Sequence, residues 1–277
     1  MDSKKNFLQS GKSLGGSKDK QPEKKVAPPK SGAEPAKRVS NLISKSPINY
    51  PDKAINTNLS KNPVKIEQKS EPPKEKNTSR PPDRIAQKKA ESLFHLSMDF
   101  YMKEKNINKA IELMEEAISI NDQKYYYYYN LGILFTEIKD KDSAIKAFEA
   151  CLEISPDFES ARYNLANQLI AKANFEKAAE NFELIIEKNP VAIDALYNSA
   201  FIYFKCLKNF TKAIEYFQRI TRLESLNIDA YFNLGLSYYF NGDKEKAAET
   251  FQELIMFCPD DSSAQYNLAL ISNELGR

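Results

Sequence analysis

The sequence has no tryptophan, only eight glycines and a single histidine, His95. One histidine without a second ligand at useful spacing cannot build a metal site, and no Ser/His/Asp or Cys/His arrangement can be assembled around it. The triplet at 11–13, Gly-Lys-Ser, resembles the end of a phosphate-binding loop, but Asn6 stands where that motif needs glycine. We therefore expect a protein that is not an enzyme and needs no cofactor.

Cysteine is scarce as well, and long apolar runs are missing. Cys151, Cys206 and Cys258 are an odd number without C-x-x-C spacing, which argues against a disulfide framework or a zinc site. No stretch approaches the roughly 20 apolar residues of a membrane-spanning helix, and the first residues lack the apolar region of a secretory signal. We expect a protein with no transmembrane segment in a reducing, cytoplasmic compartment.

Charge and proline are divided unequally along the chain. Residues 1–80 contain 18 Lys/Arg and 8 Asp/Glu, a net charge of +10, whereas residues 81–277 contain 22 and 30, a net charge of −8. Residues 1–82 also hold 11 of the 14 prolines and show no sustained apolar period. Such a segment buries too little apolar surface to offset its ordering entropy. We predict a disordered, basic, Lys/Ser/Pro-rich arm over 1–82 and an ordered domain over 83–277.

The arm has two interpretations. Its charge suits weak contact with a polyanion, either nucleic acid or an anionic membrane, and it equally suits a solvated tail without a partner. Residues 38–50 differ from the rest, because Val39, Leu42 and Ile43 could share one face of a short helical turn. That patch is either a linear motif that folds on a partner or a chance cluster.

The ordered part begins to show its pattern in residues 125–156, which predict two amphipathic helices joined by a short polar turn. Apolar or small residues recur at helical spacing on both helices: Tyr128, Leu131, Gly132, Phe135, then Ala144, Phe148, Cys151. Pro156 closes the second helix, since proline cannot continue one. Two such helices cannot bury both apolar faces against each other, so they require neighbours of the same kind.

Those neighbours follow a fixed period. A small residue recurs at intervals of 34, 34, 35 and 34, at Ala110, Ala144, Ala178, Ala213 and Ala247. Four residues after each lies a large apolar one: Met114, Phe148, Phe182, Phe217 and Phe251. This pattern resembles the tetratricopeptide repeat (TPR) family, in which a helix pair recurs every 34 residues. The resemblance implies an all-α fold, a right-handed superhelical solenoid of five repeats with a C-terminal capping helix.

We divide the solenoid into five units and a cap. The units are residues 91–124, 125–158, 159–192, 193–227 and 228–261, and the capping helix is 262–277. Asp83 is a suitable N-cap for a first helix that begins ahead of unit one. Unit four has one extra residue, which we expect to lengthen its turn between Cys206 and Lys212.

Two series of side chains repeat on the first helices and suggest a binding site. One is asparagine: Asn130, Asn164, Asn198, Asn233 and Asn267. The residue before each is aromatic: Tyr129, Tyr163, Tyr197, Phe232 and Tyr266. Phe201 and Tyr239 lie further along the same helices. In the TPR family this side of the first helix lines a concave groove, and in some members a similar asparagine ladder holds peptide backbones.

A carboxamide has two donors and one acceptor, so an exposed asparagine could hold any peptide backbone beside aromatic side chains. The alternative is that these asparagines only satisfy neighbouring helix ends. The resemblance implies a scaffold or adaptor that binds an extended or helical, apolar segment of another protein. Alternatives are polyanion tethering through the arm and a regulatory subunit of an enzyme complex. Self-association through the solenoid ends is also possible.

Overall fold

The computed structural model describes residues 83–277, so the arm predicted over 1–82, with its 38–50 patch, lies outside the described residues. Within 83–277 the backbone forms eleven α-helices and two π-helical turns and no β-strand. The all-α prediction is therefore confirmed. The helices are α1 (Arg84–Asp99), α2 (Ile107–Ile120), α3 (Tyr125–Glu137), α4 (Lys141–Ile154), α5 (Glu159–Ala171), α6 (Phe175–Lys188), α7 (Ile193–Phe201), α8 (Phe210–Leu223), α9 (Ile228–Asn241), α10 (Lys244–Phe257) and α11 (Ser262–Glu274).

The start of α1 is set by its cap. The Asp83 side chain accepts hydrogen bonds from the backbone N–H groups of Ile85 and Ala86, at 2.9 and 2.8 Å. These two N–H groups have no partner inside the helix, so the carboxylate satisfies them and also favours the positive helix N-terminus. The prediction of Asp83 as the N-cap is confirmed.

Helices pack in sequence order, each against the next. The repeating alanines of α2, α4, α6, α8 and α10 and the large apolar residues four positions later are all fully buried, as the period predicts. Burying each of these large side chains contributes roughly 1.5–3 kcal/mol. Every interior second helix packs on the first helix of its own unit and on that of the next, so each unit supplies the surface that its neighbour needs.

Close approach between the two helices of a unit depends on a small residue. A Cβ atom added at Gly132 would lie 2.5 Å from the ring of Phe148, and one at Gly235 would lie 2.8 Å from that of Phe251. Both rings are fully buried and have little room to move. Units three and four place Ala166 and Ala200, also fully buried, at this position.

The turns inside units two, three and five share one geometry. Each contains a residue with positive φ: Lys139 (63°), Ala173 (57°) and Gly242 (93°). The N–H of the following residue then donates to the carbonyl five residues back, in Asp140 to Phe135, Asn174 to Leu169 and Asp243 to Tyr238. This left-handed C-terminal motif satisfies carbonyls at the end of the first helix.

In units one and four the first helix contains one residue more than in the other units. There the corresponding bond spans six residues, from Asn106 to Phe100 and from Asn209 to Tyr203. The extra residue is absorbed by π-helical turns at Phe100–Glu104 and Ile202–Cys206. The turn of unit four, 207–209, is as short as that of unit two, 138–140. Our expectation of a longer turn in unit four is therefore wrong.

Every helix within residues 83–277 is too short or too polar to span a bilayer. No group of three or more His, Cys, Asp or Glu side chains in this range could hold a metal ion.

Candidate functional site on the first helices

The repeating asparagines of α3, α5, α7 and α9 are enclosed by the protein. Asn130, Asn164, Asn198 and Asn233 are between 1 and 4% exposed. Our expectation that these carboxamides stand exposed beside the core is wrong for these four residues. Each lies where one first helix meets its neighbours, and burial at that place requires a hydrogen-bond partner.

Three of the carboxamides donate across the boundary between units. The Nδ2 atom of Asn164 lies 3.4 Å from the Tyr129 hydroxyl, that of Asn198 lies 2.7 Å from the Tyr163 hydroxyl, and that of Asn233 lies 3.2 Å from the Tyr197 hydroxyl. Each donor is a neighbour's asparagine and each acceptor is the aromatic residue of the preceding unit. We call these three contacts the tyrosine–asparagine bonds. They connect units two, three, four and five.

The two outer asparagines bond only within their own helices. Asn130 Nδ2 donates to the Tyr126 carbonyl at 2.7 Å, and Asn267 Nδ2 donates to the Ser263 carbonyl at 2.8 Å. For Asn267 the reason is chemical, because the aromatic residue of the preceding unit is Phe232, which has no hydroxyl. Asn267 is partly exposed, unlike the other four.

The aromatic series is also partly internal. Tyr129 and Tyr163 are buried, whereas Tyr197, Phe232 and Tyr266 are partly exposed. Rings of the series meet the large residue of the second helix edge-on, with centroids 5.2 Å apart for Tyr163 and Phe182. Burial raises the pKa of the Tyr163 hydroxyl, so this tyrosine stays neutral and acts as an acceptor for Asn198.

Five aromatic residues of the predicted site remain partly exposed, and four of them lie on two successive first helices, α7 and α9. Together with Leu236 of α9 they form what we call the first-helix surface: Tyr197, Phe201, Phe232, Leu236 and Tyr239. Phe201 and Tyr239 belong to the predicted site, and Leu236 was missed. Its signal in the sequence is the helical spacing that places it between Phe232 and Tyr239 on α9.

A polar cluster between units three and four was also missed. One oxygen of Glu183 accepts hydrogen bonds from the Tyr203 hydroxyl, the Tyr216 hydroxyl and the Lys212 ammonium, each at 2.8 Å. Lys212 also lies over the Tyr203 ring, 4.5 Å from its centroid. The cluster has no sequence signature, since its members come from α6, α8 and the π-helical turn.

Glu183 is partly enclosed by this cluster. Burial by itself raises the pKa of the carboxyl, but hydrogen bonds from Lys212, Tyr203 and Tyr216 and the charge of Lys212 bring it below its usual value. The net effect favours the ionised form. Glu183 thus joins the second helix of unit three to both helices of unit four.

The single histidine and the buried cysteine have different surroundings. His95 is exposed and touches Phe94 edge-on, at 5.4 Å between ring centroids. Burial raises the pKa of the Cys151 thiol to about 12, so it is protonated at neutral pH and packs as a small apolar side chain.

Stacked helix pairs with this burial pattern define a helical-repeat protein. Four segments match tetratricopeptide-repeat models, at residues 90–124, 125–158, 194–223 and 228–261. The chain belongs to the tetratricopeptide-repeat family.

Curated relatives match over single stretches of the solenoid. The antiviral innate immune response effector IFIT1 of Homo sapiens is 26% identical over 132 residues, which are 40% of this chain and 28% of that protein. The peroxisomal targeting signal receptor of Saccharomyces cerevisiae is 31% identical over 84 residues, 30% of this chain and 14% of the receptor. The matched part of this chain thus spans less than a third of either relative.

A solved structure shows the same fold. The TPR protein YrrB, described as having an unusual peptide-binding site, superposes with a TM-score of 0.54 at 19% identity. The match covers 64% of this chain and 90% of YrrB. At this identity the likeness concerns the fold alone.

Proposed function

We propose that this protein is a non-catalytic scaffold that holds an extended or helical segment of a partner protein against its first helices. The observation that carries the proposal is the first-helix surface, where five aromatic or aliphatic side chains of α7 and α9 stay partly exposed. A soluble domain seldom leaves such a set together without a use for it.

Recognition by this surface differs from the ladder that the sequence suggested. The enclosed asparagines already donate hydrogen bonds to tyrosine hydroxyls or helix carbonyls. They therefore have little hydrogen-bonding capacity left for a peptide backbone. Aromatic rings give flat apolar area at a low entropy cost. The partner segment should therefore be apolar, with Asn267 as a polar contact at the end of the array.

Two of the similar proteins support a binding role. YrrB is described as carrying a peptide-binding site, and the yeast relative is a receptor for a targeting signal. A repeat solenoid can use neighbouring first helices together, because each unit contacts only its neighbours and repeats the same face.

A displayed library of random peptides, panned on the full chain, tests the proposal. Enriched peptides should be apolar, and Phe201→Ala or Tyr239→Ala should weaken them by about tenfold or more, as truncation of an aromatic anchor does. The matched control is Tyr231→Ala on the same helix, since the Tyr231 ring packs against Phe257, with centroids 5.0 Å apart. The proposal fails if all three variants, folded by circular dichroism, bind the peptides as the parent does.

Polyanion contact through the arm remains a prediction, since residues 1–82 lie outside the described range. Binding of that kind should weaken steeply with salt and should disappear when residues 1–80 are removed. Groove binding should survive both treatments.

A further inference from the structure

One turn of the solenoid has an unusual charge. Residues 204–213, which comprise the turn of unit four (207–209) and the helix ends on either side of it, contain Lys205, Lys208 and Lys212 and no Asp or Glu. The corresponding turns of the other units all include at least one carboxylate, such as Asp140 and Asp142 in unit two. We call residues 204–213 the basic turn.

The three lysines of the basic turn have different surroundings. Lys212 is held by Glu183 inside the polar cluster. Lys205 and Lys208 are exposed, and Lys208 occupies the left-handed position of the turn, with φ of 54°. Burial and then the positive charge of Lys208 lower the pKa of Lys205. Lys205 and Lys208 are exposed and lie three residues apart in the basic turn, so one anionic segment could face both.

Three aromatic rings cluster at the basic turn, two from the turn itself and one from α9. Phe204 lies 5.8 Å from both Phe210 and Phe240, and the Phe210 and Phe240 rings stack at 5.6 Å with an angle of 23°. Phe210 and Phe240 are partly exposed. The basic turn thus borders an apolar patch that units four and five build together.

Two carboxylates of unit five and the capping helix, Asp243 and Glu274, are engaged by other groups. Asn241 donates to Asp243 at 3.2 Å, and Thr211 of the basic turn reaches Asn241 at 3.4 Å. Glu274 of α11 is bonded by Lys244 and by the Tyr239 hydroxyl, each at 3.0 Å. In contrast, the turn of unit two contains both lysines and aspartates, so its charges balance. Its Asp142 also pairs with Lys172 of unit three.

We propose that Lys205, Lys208, Phe210 and Phe240 form a second docking surface, for an acidic segment of a partner protein that carries phenylalanine or a similar side chain. Two exposed ammonium groups provide the charge complementarity, and the aromatic patch provides apolar contact area beside them. This surface adjoins the first-helix surface, because the Phe240 and Tyr239 rings meet edge-on with centroids 5.5 Å apart; it differs in the charge that Lys205 and Lys208 supply.

A protein segment fits better than nucleic acid. The domain of residues 81–277 carries a net charge of −8, and the carboxylates of neighbouring turns would repel a continuing phosphate chain. The exposed rings also stack on each other, which leaves their faces less open to bases than a nucleic-acid platform requires.

Hydrogen exchange on the full chain can locate the binding. A probe that binds the basic arm would slow exchange at amides of residues 1–82, whereas a probe on the proposed surface would slow it at residues 204–213. The probe is a short synthetic peptide of glutamates interspersed with phenylalanines. It should slow exchange at 204–213 and leave 138–144, the turn of unit two, unchanged. The double variant Lys205→Glu, Lys208→Glu should weaken this protection at least tenfold in peptide concentration. Lys139→Glu, at the left-handed position of unit two, is the matched control and should have no effect.

Several results would overturn the proposal. They are absence of protection at 204–213, equal protection of the two turns, or equal losses from the double variant and Lys139→Glu. If oligoglutamate without phenylalanine protected residues 204–213 as well as the probe does, the aromatic patch would have no part in the binding. Stronger protection by oligothymidylate than by the probe would reassign the surface to nucleic acid.

Discussion

The junction between units one and two is built differently from the later ones. Its second helix contributes the small Ala117 and its next first helix the large Tyr127, and both are fully buried. At the matched places of the later junctions the sizes are exchanged, and every residue is again buried: Cys151 with Ala161, Ile185 with Ala195, Ile220 with Ala230, and Leu254 with Ala264. Each junction pairs a larger with a smaller side chain, and the first junction takes its larger one from the first helix where the later junctions take theirs from the second helix.

The junctions also differ in their polar contacts. The three tyrosine–asparagine bonds lie at the junctions between units two, three, four and five, and neither end of the array has one. At the first junction the Tyr126 hydroxyl donates to Glu91 at 2.6 Å instead. The middle junctions thus add hydrogen bonds between neutral side chains to their apolar contacts, whereas the first junction has a part-buried bond to a carboxylate.

Removing the large residue of the first junction should have the largest effect. Tyr127→Ala leaves a cavity beneath the stacked Phe94 ring, whose centroid is 5.2 Å away, and should lower the free energy of unfolding by about 3–5 kcal/mol. Urea denaturation followed by circular dichroism measures it. Adding Ala117→Ile should recover part of the loss if the two positions exchange volume. A double variant no more stable than Tyr127→Ala would contradict this account of the junction.

Breaking a middle junction should cost less. Tyr163→Phe removes the acceptor of the buried Asn198 Nδ2 and should lower the free energy of unfolding by about 1–3 kcal/mol. The control is Tyr266→Phe, because the buried Tyr266 hydroxyl has no hydrogen-bond partner among the described residues. We expect that control to be neutral or slightly stabilising in thermal melts. Equal losses in both variants would mean that the hydroxyl matters for packing and not for bonding.

Acid should weaken the junction between units three and four. The pKa of Glu183 is lowered in the folded protein, so its contribution is present above the unfolded value of about 4.3 and fades as the pH falls through the folded value. Glu183→Gln should therefore unfold in urea with a flatter dependence on pH below about pH 5. Parallel curves for the variant and the parent would show that other carboxylates set the acid response.

Extending the tyrosine–asparagine series should have the smallest effect, and of opposite sign. Phe232→Tyr adds a hydroxyl facing Asn267, which now bonds only within its helix. One net hydrogen bond is worth about 0.5–1.5 kcal/mol, reduced here by the partial exposure of both residues. A rise in melting temperature supports the account, provided that Phe240→Tyr, outside the series, gives none.

The fold could be predicted from the sequence because the residues that recur with the 34-residue period are also the residues that the stacked helices bury. Ala178 and Phe182 recur with their counterparts at fixed intervals, and only a stacked helix pair buries both at every recurrence. The candidate site was harder to predict. Asn198 lies one place from a core position, and its burial depends on a tyrosine 35 residues earlier that reaches it across the junction. A pattern on one helix cannot show whether a neighbouring unit covers its edge.

The intervals between the repeating alanines do not show the extra residue in the first helix of unit one. The spacing starts at Ala110, so an extra residue ahead of it leaves no trace in the intervals. The structure reveals it: fully buried Ser97, which donates to the Ala110 carbonyl at 2.6 Å, stands eight residues before the left-handed Lys105. Gly132 stands only seven before Lys139. The matched repeat of 90–124 has the same extra residue.

The π-helical turns also bear on how such a chain changes over generations. An insertion in an α-helix turns everything beyond it by about 100°, and in a packed helix that would carry buried side chains into solvent. A π-helical turn confines the rotation to a few residues, here Ile202–Cys206, and leaves Asn198 and Phe217 in their places. A lineage can therefore gain or lose single residues within these helices while the buried faces on either side stay in register.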